Sequence, residues 1–413
     1  MRKICVVGIG YVGTPLLVSL IKGGFDACGY DLNRKRILEL RNNIDAYSEL
    51  DLSELEIIQK NVFNDLNMIK PNPSIYIITV PTPIDQHNDP DLSPLISATQ
   101  LISRNLKKND IVIYESTVYP GTTEEICIPI LEESSLKLNK DFGVGYSPER
   151  LAPGIGGKKI NEIIKIISAS NEDTLKILEE IYGRIIDAGI YKAQSIKIAE
   201  AAKVTENIQR DVNIALVNEL YMLFESLGIN ANDVINAAST KFNFHHYTQG
   251  LVGGHCIGVD PYYLIYKSRA HNLNPNLIEK AREVNESLIQ FLFNKVITEA
   301  QNKGIDFHKI KMLFVGATFK ENCSDIRNSK SLELIKKFIS IGIDVEVYDP
   351  LIKDDLEGIQ LITEKDIVAA NSYSTIFFSV CHQEIIELGV RFFEKIHDKS
   401  MIIFDYKRIF YHD

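Results

Sequence analysis

The feature that most restricts how this chain can fold is a G-x-G-x-x-G run near its start, Gly8-Ile9-Gly10-Tyr11-Val12-Gly13. The apolar run Ile4–Val7 precedes it and a stretch with helical periodicity follows. In that setting the first glycine permits a tight turn, the second lets the backbone approach a pyrophosphate, and the third lets helix pack on strand. The helix N-terminus then faces the diphosphate. A carboxylate, Asp31, ends the next apolar run, Ala27–Tyr30. There it can accept hydrogen bonds from two ribose hydroxyls and repel a 2′-phosphate. The pattern predicts a dinucleotide site preferring NAD to NADP, built around Gly8, Gly10, Tyr11, Val12, Gly13 and Asp31.

Beyond that turn, strands are expected at Ile4–Val7, Ala27–Tyr30, Ile75–Val80, Ile111–Tyr114 and Val144–Tyr146, alternating with helical patterns. Such alternation implies a parallel, doubly wound sheet. Long helical patterns cover Ser195–Leu227, stopped by Gly228, and Asn276–Asn302, stopped by Gly304. Alternation resumes with strands at Met312–Val315, Asp344–Tyr348, Thr375–Val380 and Met401–Phe404. The expected fold class is therefore α/β, with two Rossmann-like doubly wound parallel-sheet domains joined by a central all-helical region. Boundaries fall at 1–190, 191–305 and 306–413, in keeping with roughly 150 residues per domain. The second α/β half opens with Phe314-Val-Gly316-Ala-Thr-Phe319 and lacks the triple glycine, so the halves are not a sequence repeat and should bind different things.

A net charge of −10 and a pI near 5.5 argue against nucleic acid or an anionic membrane as partner, since both require clustered positive potential. Arg2-Lys3 followed by Ile4–Ile21 superficially resembles a signal peptide, but Gly8, Gly10 and Gly13 interrupt it. No other segment nears the ~18 apolar residues of a membrane span. A cytoplasmic protein is expected. The six cysteines lack paired C-x-x-C spacing, so neither a disulfide framework nor a metal is indicated, and Cys5 and Cys28 read as small buried hydrophobes.

Cys256 differs from the rest. It lies in Gly253-Gly254-His255-Cys256-Ile257-Gly258-Val259-Asp260-Pro261, a thiol among glycines with a carboxylate four residues on. The residues alone leave two readings, a nucleophile or an inert thiol in a glycine-rich turn. His255 can lower the thiol pKa or simply pack. His245-His246 reads as a polar loop because no third ligand has suitable spacing. In the Ser195–Leu227 helix, Glu200, Lys203, Asn207 and Arg210 share one face, while Ile198, Ala202, Ile208, Val212 and Ala215 can bury elsewhere around it. A stripe of this kind is ordinarily a solvated face; Lys203 and Asn207 matter if it lines a cleft.

Taken together these residues resemble the UDP-glucose/GDP-mannose dehydrogenase family over nearly the whole chain. The resemblance rests on seven ordered motifs. They are Gly8–Gly13; Val80-Pro-Thr-Pro83; Glu115-Ser-Thr-Val118 with Pro120-Gly-Thr-Thr123; Ser147-Pro-Glu-Arg150 with Pro153-Gly154; Lys203 with Asn207; Gly253–Pro261; and Lys320 with Asp325 and Arg327. It implies a homodimer formed through the helical region, NAD as cofactor and a UDP-sugar as substrate. It also implies Cys256 as nucleophile, Lys203 and Asp260 as the charged pair that stabilises oxyanions and helps activate water, and Thr117, Glu149 and Asn207 as further active-site groups. Pro81, Thr82 and Thr117 would border the cofactor. Arg150, Arg210, Gly253, Lys320 and Arg327 would join Glu149, Lys203 and Asn207 around the substrate, with the C-terminal domain holding the UDP half.

The implied chemistry suits these residue types. Oxidising an alcohol to an acid needs two hydride transfers without escape of the aldehyde. A thiolate retains it as a thiohemiacetal, which becomes a thioester and is hydrolysed. Gly253–Leu264, Ser147–Arg150 and Thr205–Asp211 are similar to the branch acting on UDP-N-acetylhexosamines, UDP-N-acetylglucosamine first, feeding surface polysaccharide synthesis. The manno and galacto epimers and UDP-glucose are alternatives. His245–Gly250 departs from relatives, which often carry a basic residue and a proline there. The rivals from other classes are a two-electron hydroxyacid dehydrogenase, which would leave Cys256 and the C-terminal domain without a role, and a non-enzymatic NAD-binding protein.

Overall fold

The computed structural model describes residues 2–45, 50–151, 158–306, 310–353, 356, 358–370, 373–394, 396 and 402–410. Pro153-Gly154 and Met401 lie outside them. The chain forms two compact bodies, Met1–Asn207 with Tyr262–Asn274, and Ile208–Pro261 with Pro275–Asp413.

In the first body the described residues form one sheet. Its strands are β1 (Ile4–Val7), β2 (Ala27–Tyr30), β3 (Val62–Phe63), β4 (Ile75–Ile78), β5 (Ile111–Tyr114), β6 (Gly143–Tyr146), β7 (Lys165–Ala169) and β8 (Ile190–Lys192), in the order β3-β2-β1-β4-β5-β6-β7-β8. The first six run parallel, with Ile4 opposite both Ala27 and Ile75. β1, β2, β4, β5 and β6 are buried at every position. That is why they read as unbroken apolar runs rather than alternating ones. Leu16, Leu17 and Leu20 of the helix Gly13–Lys22 are fully buried in the same cluster as Ile4, Val6, Ile77 and Ile113. At ~1.5–3 kcal/mol for each such side chain, this packing anchors the glycine turn from both sides.

The five strands expected here are present, with β4 ending at Ile78 rather than Val80. Parallelism fails at one place, where β6 pairs with β7 antiparallel. Between them the described residues include only the short turn Ile160–Glu162, and none of the crossover helix by which parallel strands are usually joined.

Four helices, Ile196–Ser226, Ala231–Ala238, Asp260–Ala270 and Asn276–Asn302, supply the helical centre, with no strand among its described residues. The helix Ile196–Ser226 corrects the expected stripe. Ile198 is 45% exposed, whereas Glu200, Lys203 and Asn207 are buried and only Arg210 of that group faces solvent. A polar face this deeply buried has partners to satisfy, which spacing alone does not reveal.

The second body contains β9 (Lys311–Val315), β10 (Asp344–Tyr348), β11 (Gln360–Leu361), β12 (Thr375–Phe378) and β13 (Ile402–Phe404), all parallel, in the order β11-β10-β9-β12-β13. Leu288, Leu292 and Val296 of the helix Asn276–Asn302 share its core with Phe314, Phe338 and Phe377. Phe314 and Phe377 stack at 4.9 Å between centroids.

Although the halves differ in sequence, they repeat one turn bond for bond. Gly8 N–H donates to Tyr30 O at 2.8 Å and Ile9 N–H to Asp31 Oδ2 at 2.9 Å. Gly316 N–H donates to Tyr348 O at 2.9 Å and Ala317 N–H to Asp349 Oδ2 at 2.8 Å. Both glycines have positive φ, 95° and 81°. A β-carbon on Gly316 would lie 1.8 Å from Val380 O, so no other residue fits there.

Candidate active site

In the first body, the glycine turn has the geometry a pyrophosphate needs. A β-carbon at Gly13 would fall 2.1 Å from Gly8 O, which is the close approach of helix to strand. One at Gly10 would meet nothing within 4 Å, so the backbone there stands open to a ligand. Beside the turn is a cavity of about 560 Å³, lined by Gly8, Tyr30, Asp31, Leu32, Pro81 and Ser97 among others. Tyr11 and Val12 are half-buried beside Gly10. Asp31 Oδ1 accepts from Asn33 N–H at 2.8 Å, which with the bond from Ile9 fixes its carboxylate at the cavity wall. These residues fit a dinucleotide.

Val80 and Pro81, also in that lining, belong to the segment after β4, which is laced to the segment after β5. Thr82 Oγ1 donates to Thr117 O at 2.6 Å, Ser116 Oγ to Val80 O at 2.6 Å, and Tyr263 OH bonds Thr82 O. Thr117 is half-buried and Pro81 exposed. Farther along, Gly121 N–H and Thr123 N–H donate to the two oxygens of Glu200 at 2.6 and 2.9 Å. Burial pushes the Glu200 carboxyl up to about 7, and the bonds from Thr123 and Gly121 offset this only in part.

Lys203 and Glu149 meet, Nζ to Oε2 at 3.8 Å, both side chains being well buried. Arg150 instead pairs with Glu206 at 2.7 Å and donates to Ile164 O at 2.6 Å. Behind the Ser147–Arg150 turn lies a group that spacing gave no reason to connect. Lys165 Nζ bonds Glu115 Oε2 at 2.7 Å and Pro148 O at 3.2 Å, and Tyr182 OH donates to Glu115 Oε1 at 2.5 Å. All three side chains are buried. Glu115 therefore acts as a brace inside a motif otherwise read for function. Its partners come from β7 and from the helix Glu172–Ile185, and nothing in the sequence signals either.

In the second body, Cys256 is half-exposed while the other five cysteines of the chain are buried, Cys5 and Cys28 as expected. The Cys256 carbonyl accepts from Val259 N–H at 3.1 Å and Asp260 N–H at 2.8 Å, so the thiol sits on the turn that opens the helix Asp260–Ala270. Asp260 is buried. Upstream, Asn218, fully buried, holds Gly250 by both backbone groups, at 2.9 and 3.0 Å, and is itself held by Asn285. The glycines of the loop lie against the segment carrying the seventh motif, Lys320 with Asp325 and Arg327. Gly254 N–H donates to Asn328 O, a β-carbon on Gly253 would lie 2.3 Å from that oxygen, and one on Gly254 would lie 2.6 Å from the Phe319 ring.

This contact brings Lys320, Asp325 and Arg327 to the Cys256 loop. Arg327 is held by Asp325, Nη2 to Oδ2 at 2.6 Å, and His255 Nε2 lies 3.7 Å from the same carboxylate. Burial lowers the His255 pKa, and the Arg327 charge lowers it further, against an opposing pull from Asp325. The His255 side chain is itself 43% exposed. Lys320 is half-buried with its ammonium 5.7 Å from the Phe319 ring centre. His245 and His246 are exposed, and among the described residues no group of three or more His, Cys, Asp or Glu could hold a metal. No described helix is long and apolar enough to cross a membrane.

Known proteins agree with this division of labour. Residues 2–186 match the NAD binding domain of the UDP-glucose/GDP-mannose dehydrogenase family, residues 197–287 its central domain, and residues 313–412 its UDP binding domain. A UDP-N-acetyl-D-glucosamine 6-dehydrogenase of Pseudomonas aeruginosa is 42% identical over 409 residues, spanning 98% of this chain and 96% of that protein. A UDP-N-acetyl-D-mannosamine dehydrogenase of Methanococcus maripaludis is 32% identical, spanning 100% and 94%. The solved UDP-D-ManNAc dehydrogenase of Pyrococcus horikoshii superposes with a TM-score of 0.87 at 29% identity, covering 100% of this chain and 97% of that one. With a glycine turn shaped for NAD in one α/β half and a three-part match from end to end, the chain belongs to the UDP-glucose/GDP-mannose dehydrogenase family and is an NAD-dependent nucleotide-sugar dehydrogenase.

Proposed function

We propose that this enzyme oxidises the C6 alcohol of UDP-N-acetylglucosamine to the uronic acid, as a step toward surface polysaccharide. The observation that carries the reading is the 42% identity, over nearly all of both chains, to a protein named for that reaction. Two NAD molecules, bound in succession, would each take up one of the two hydrides that leave the sugar carbon. The chain's own residues do the rest. The Cys256 thiolate adds to the aldehyde carbon and forms a C–S bond, and Lys203 stabilises the alkoxide so produced. Once that carbon is oxidised to a thioester, water attacks it, the C–S bond breaks and the thiolate leaves. Asp260 and Glu149 are the groups for moving the water's proton, and Glu149 already faces the Lys203 ammonium. Thr117 and Asn207 position reactants, while Arg150, Arg210, Gly253, Lys320 and Arg327 contact the substrate.

We further assign the chain three functional segments, 1–190 for NAD, 191–305 for the nucleophile loop and dimerisation, and 306–413 for the UDP half. A homodimer through the helical segment is supported by Leu216 and Leu223, exposed seven residues apart on the helix Ile196–Ser226, by Leu227, exposed in the turn that follows, and by Phe242, 91% exposed. A thiol nucleophile that must stay reduced favours a reducing compartment, the cytoplasm.

The test is a panel of UDP-glucose, UDP-N-acetylglucosamine, UDP-N-acetylgalactosamine and UDP-N-acetylmannosamine, each followed to its NADH end point. UDP-N-acetylglucosamine is expected to react best, with two NADH per sugar and no free aldehyde. A clear preference for UDP-glucose refutes the substrate, a preference for the manno sugar moves the enzyme to the neighbouring branch, and one NADH per sugar refutes the thioester route.

A further inference from the structure

The carboxylates that close the two repeated turns have different surroundings. Asp31 borders an open cavity. Asp349 is fully buried and capped by His382, also fully buried, whose Nε2 lies 3.0 Å from Asp349 Oδ2. The tautomer follows from the other ring nitrogen. His382 Nδ1 accepts the backbone N–H of Asn322 at 2.9 Å, so the proton sits on Nε2 and is donated to Asp349. One imidazole thus ties the turn at Gly316–Ala317, through Asp349, to the backbone two residues beyond Lys320. On the other side of Lys320, Thr318 Oγ1 donates to Lys320 O at 3.0 Å and lies 3.3 Å from His382 Nε2. Asn322 has φ of +58°, uncommon for a residue with a side chain, and its Oδ1 accepts from Gln383 N–H at 2.7 Å.

We propose that His382 is a positioning residue for the substrate. As a neutral Nε2–H imidazole it fixes the Thr318–Asn322 segment, and so directs the Lys320 ammonium toward the UDP half. The proposal rests on the reading of Lys320 as a substrate contact. The same cap distinguishes this turn from the dinucleotide turn of the first half, where Asp31 borders a cavity. The carboxylate that would accept ribose hydroxyls is taken up by imidazole and by the N–H groups of Ala317 and Leu351.

The test uses the intact enzyme, with UDP-N-acetylglucosamine in steady-state kinetics and UDP in titration calorimetry. His382→Gln retains a donor near Nε2 and loses the acceptor for Asn322, whereas His382→Asn retains the acceptor. His382→Gln should raise the sugar-nucleotide KM and the UDP Kd together by roughly tenfold, the order that one buried hydrogen bond controls, with kcat and the NAD KM nearly unchanged. His382→Asn should recover most of that loss. In a Lys320→Ala background the Gln substitution should cost little more, since coupled residues are not additive. If Lys320→Ala raises KM but His382→Gln does not, or if the two losses simply multiply, the positioning role is wrong while the Lys320 reading stands. If Lys320→Ala leaves KM unchanged, that reading falls and this one with it. Should His382→Gln not fold, Thr318→Val removes the other tether of Lys320, and an unchanged KM in that variant overturns the proposal equally.

Discussion

Glu200→Gln tests how a buried carboxylate holds the segment next to Thr117. Glu200 is fully buried and accepts from both Gly121 and Thr123, and burial raises its carboxyl from an ordinary 4.5 to about 7. Between those values the folded protein keeps a proton that the unfolded chain has released. Folding therefore takes up a proton, so the stability linked to Glu200 is greatest below about pH 4.5 and is lost as pH rises through about 7. A rise of that size corresponds to ~3 kcal/mol across the window. Glutamine retains the shape, removes the titration and sets its NH₂ against one of the two backbone donors, at a pH-independent cost of ~1–3 kcal/mol. The parent should thus be the more stable form near pH 5, and its advantage should vanish or reverse by pH 8. The assay is urea unfolding followed by circular dichroism at pH 5, 6, 7 and 8, since the chain has no tryptophan to report by fluorescence. Transition midpoints should be compared between the two proteins, as a chain of two bodies need not unfold in one step. Parallel curves with a constant offset would refute the reasoning.

Two substitutions address the site directly. Cys256→Ala should abolish net acid formation, by at least ~10³-fold in rate, while calorimetry shows unchanged NAD binding; acid produced at the parent rate would eliminate the covalent route. Asp31→Asn should narrow the preference for NAD over NADP by on the order of tenfold through loss of charge repulsion. It should also weaken NAD binding, because an amide cannot accept from both Ile9 and Asn33 as the carboxylate does. Equal use of both cofactors by the parent would remove the basis for that assignment.

Much of this molecule is legible in one dimension because its determining constraints are local. A glycine that must adopt positive φ, a strand buried on both faces and a carboxylate at a strand end each leave a residue type at a set position. Gly8–Gly13, Asp31 and the strands from Ile4 to Tyr146 can therefore be located without coordinates. The isolation of Cys256 among glycines marked the residue in the same way, though the residues alone left two readings of it, a nucleophile or an inert thiol.

What only the tertiary structure decided is which polar residue meets which. Glu200 looked like one member of a solvated stripe, and it is the buried acceptor of a distant loop. Glu115 looked like part of a reactive motif, and it is half of a buried ion pair with Lys165. Asp349 and His382 carried no recognisable spacing, yet they rebuild the dinucleotide turn with its carboxylate capped. β7 pairs antiparallel with β6, and the described residues between them form only a short turn. The physical reason is common to these cases. A backbone turn is specified by the few residues that form it, whereas a buried polar group is satisfied by whatever partner the fold brings within about 3 Å, from any distance along the chain.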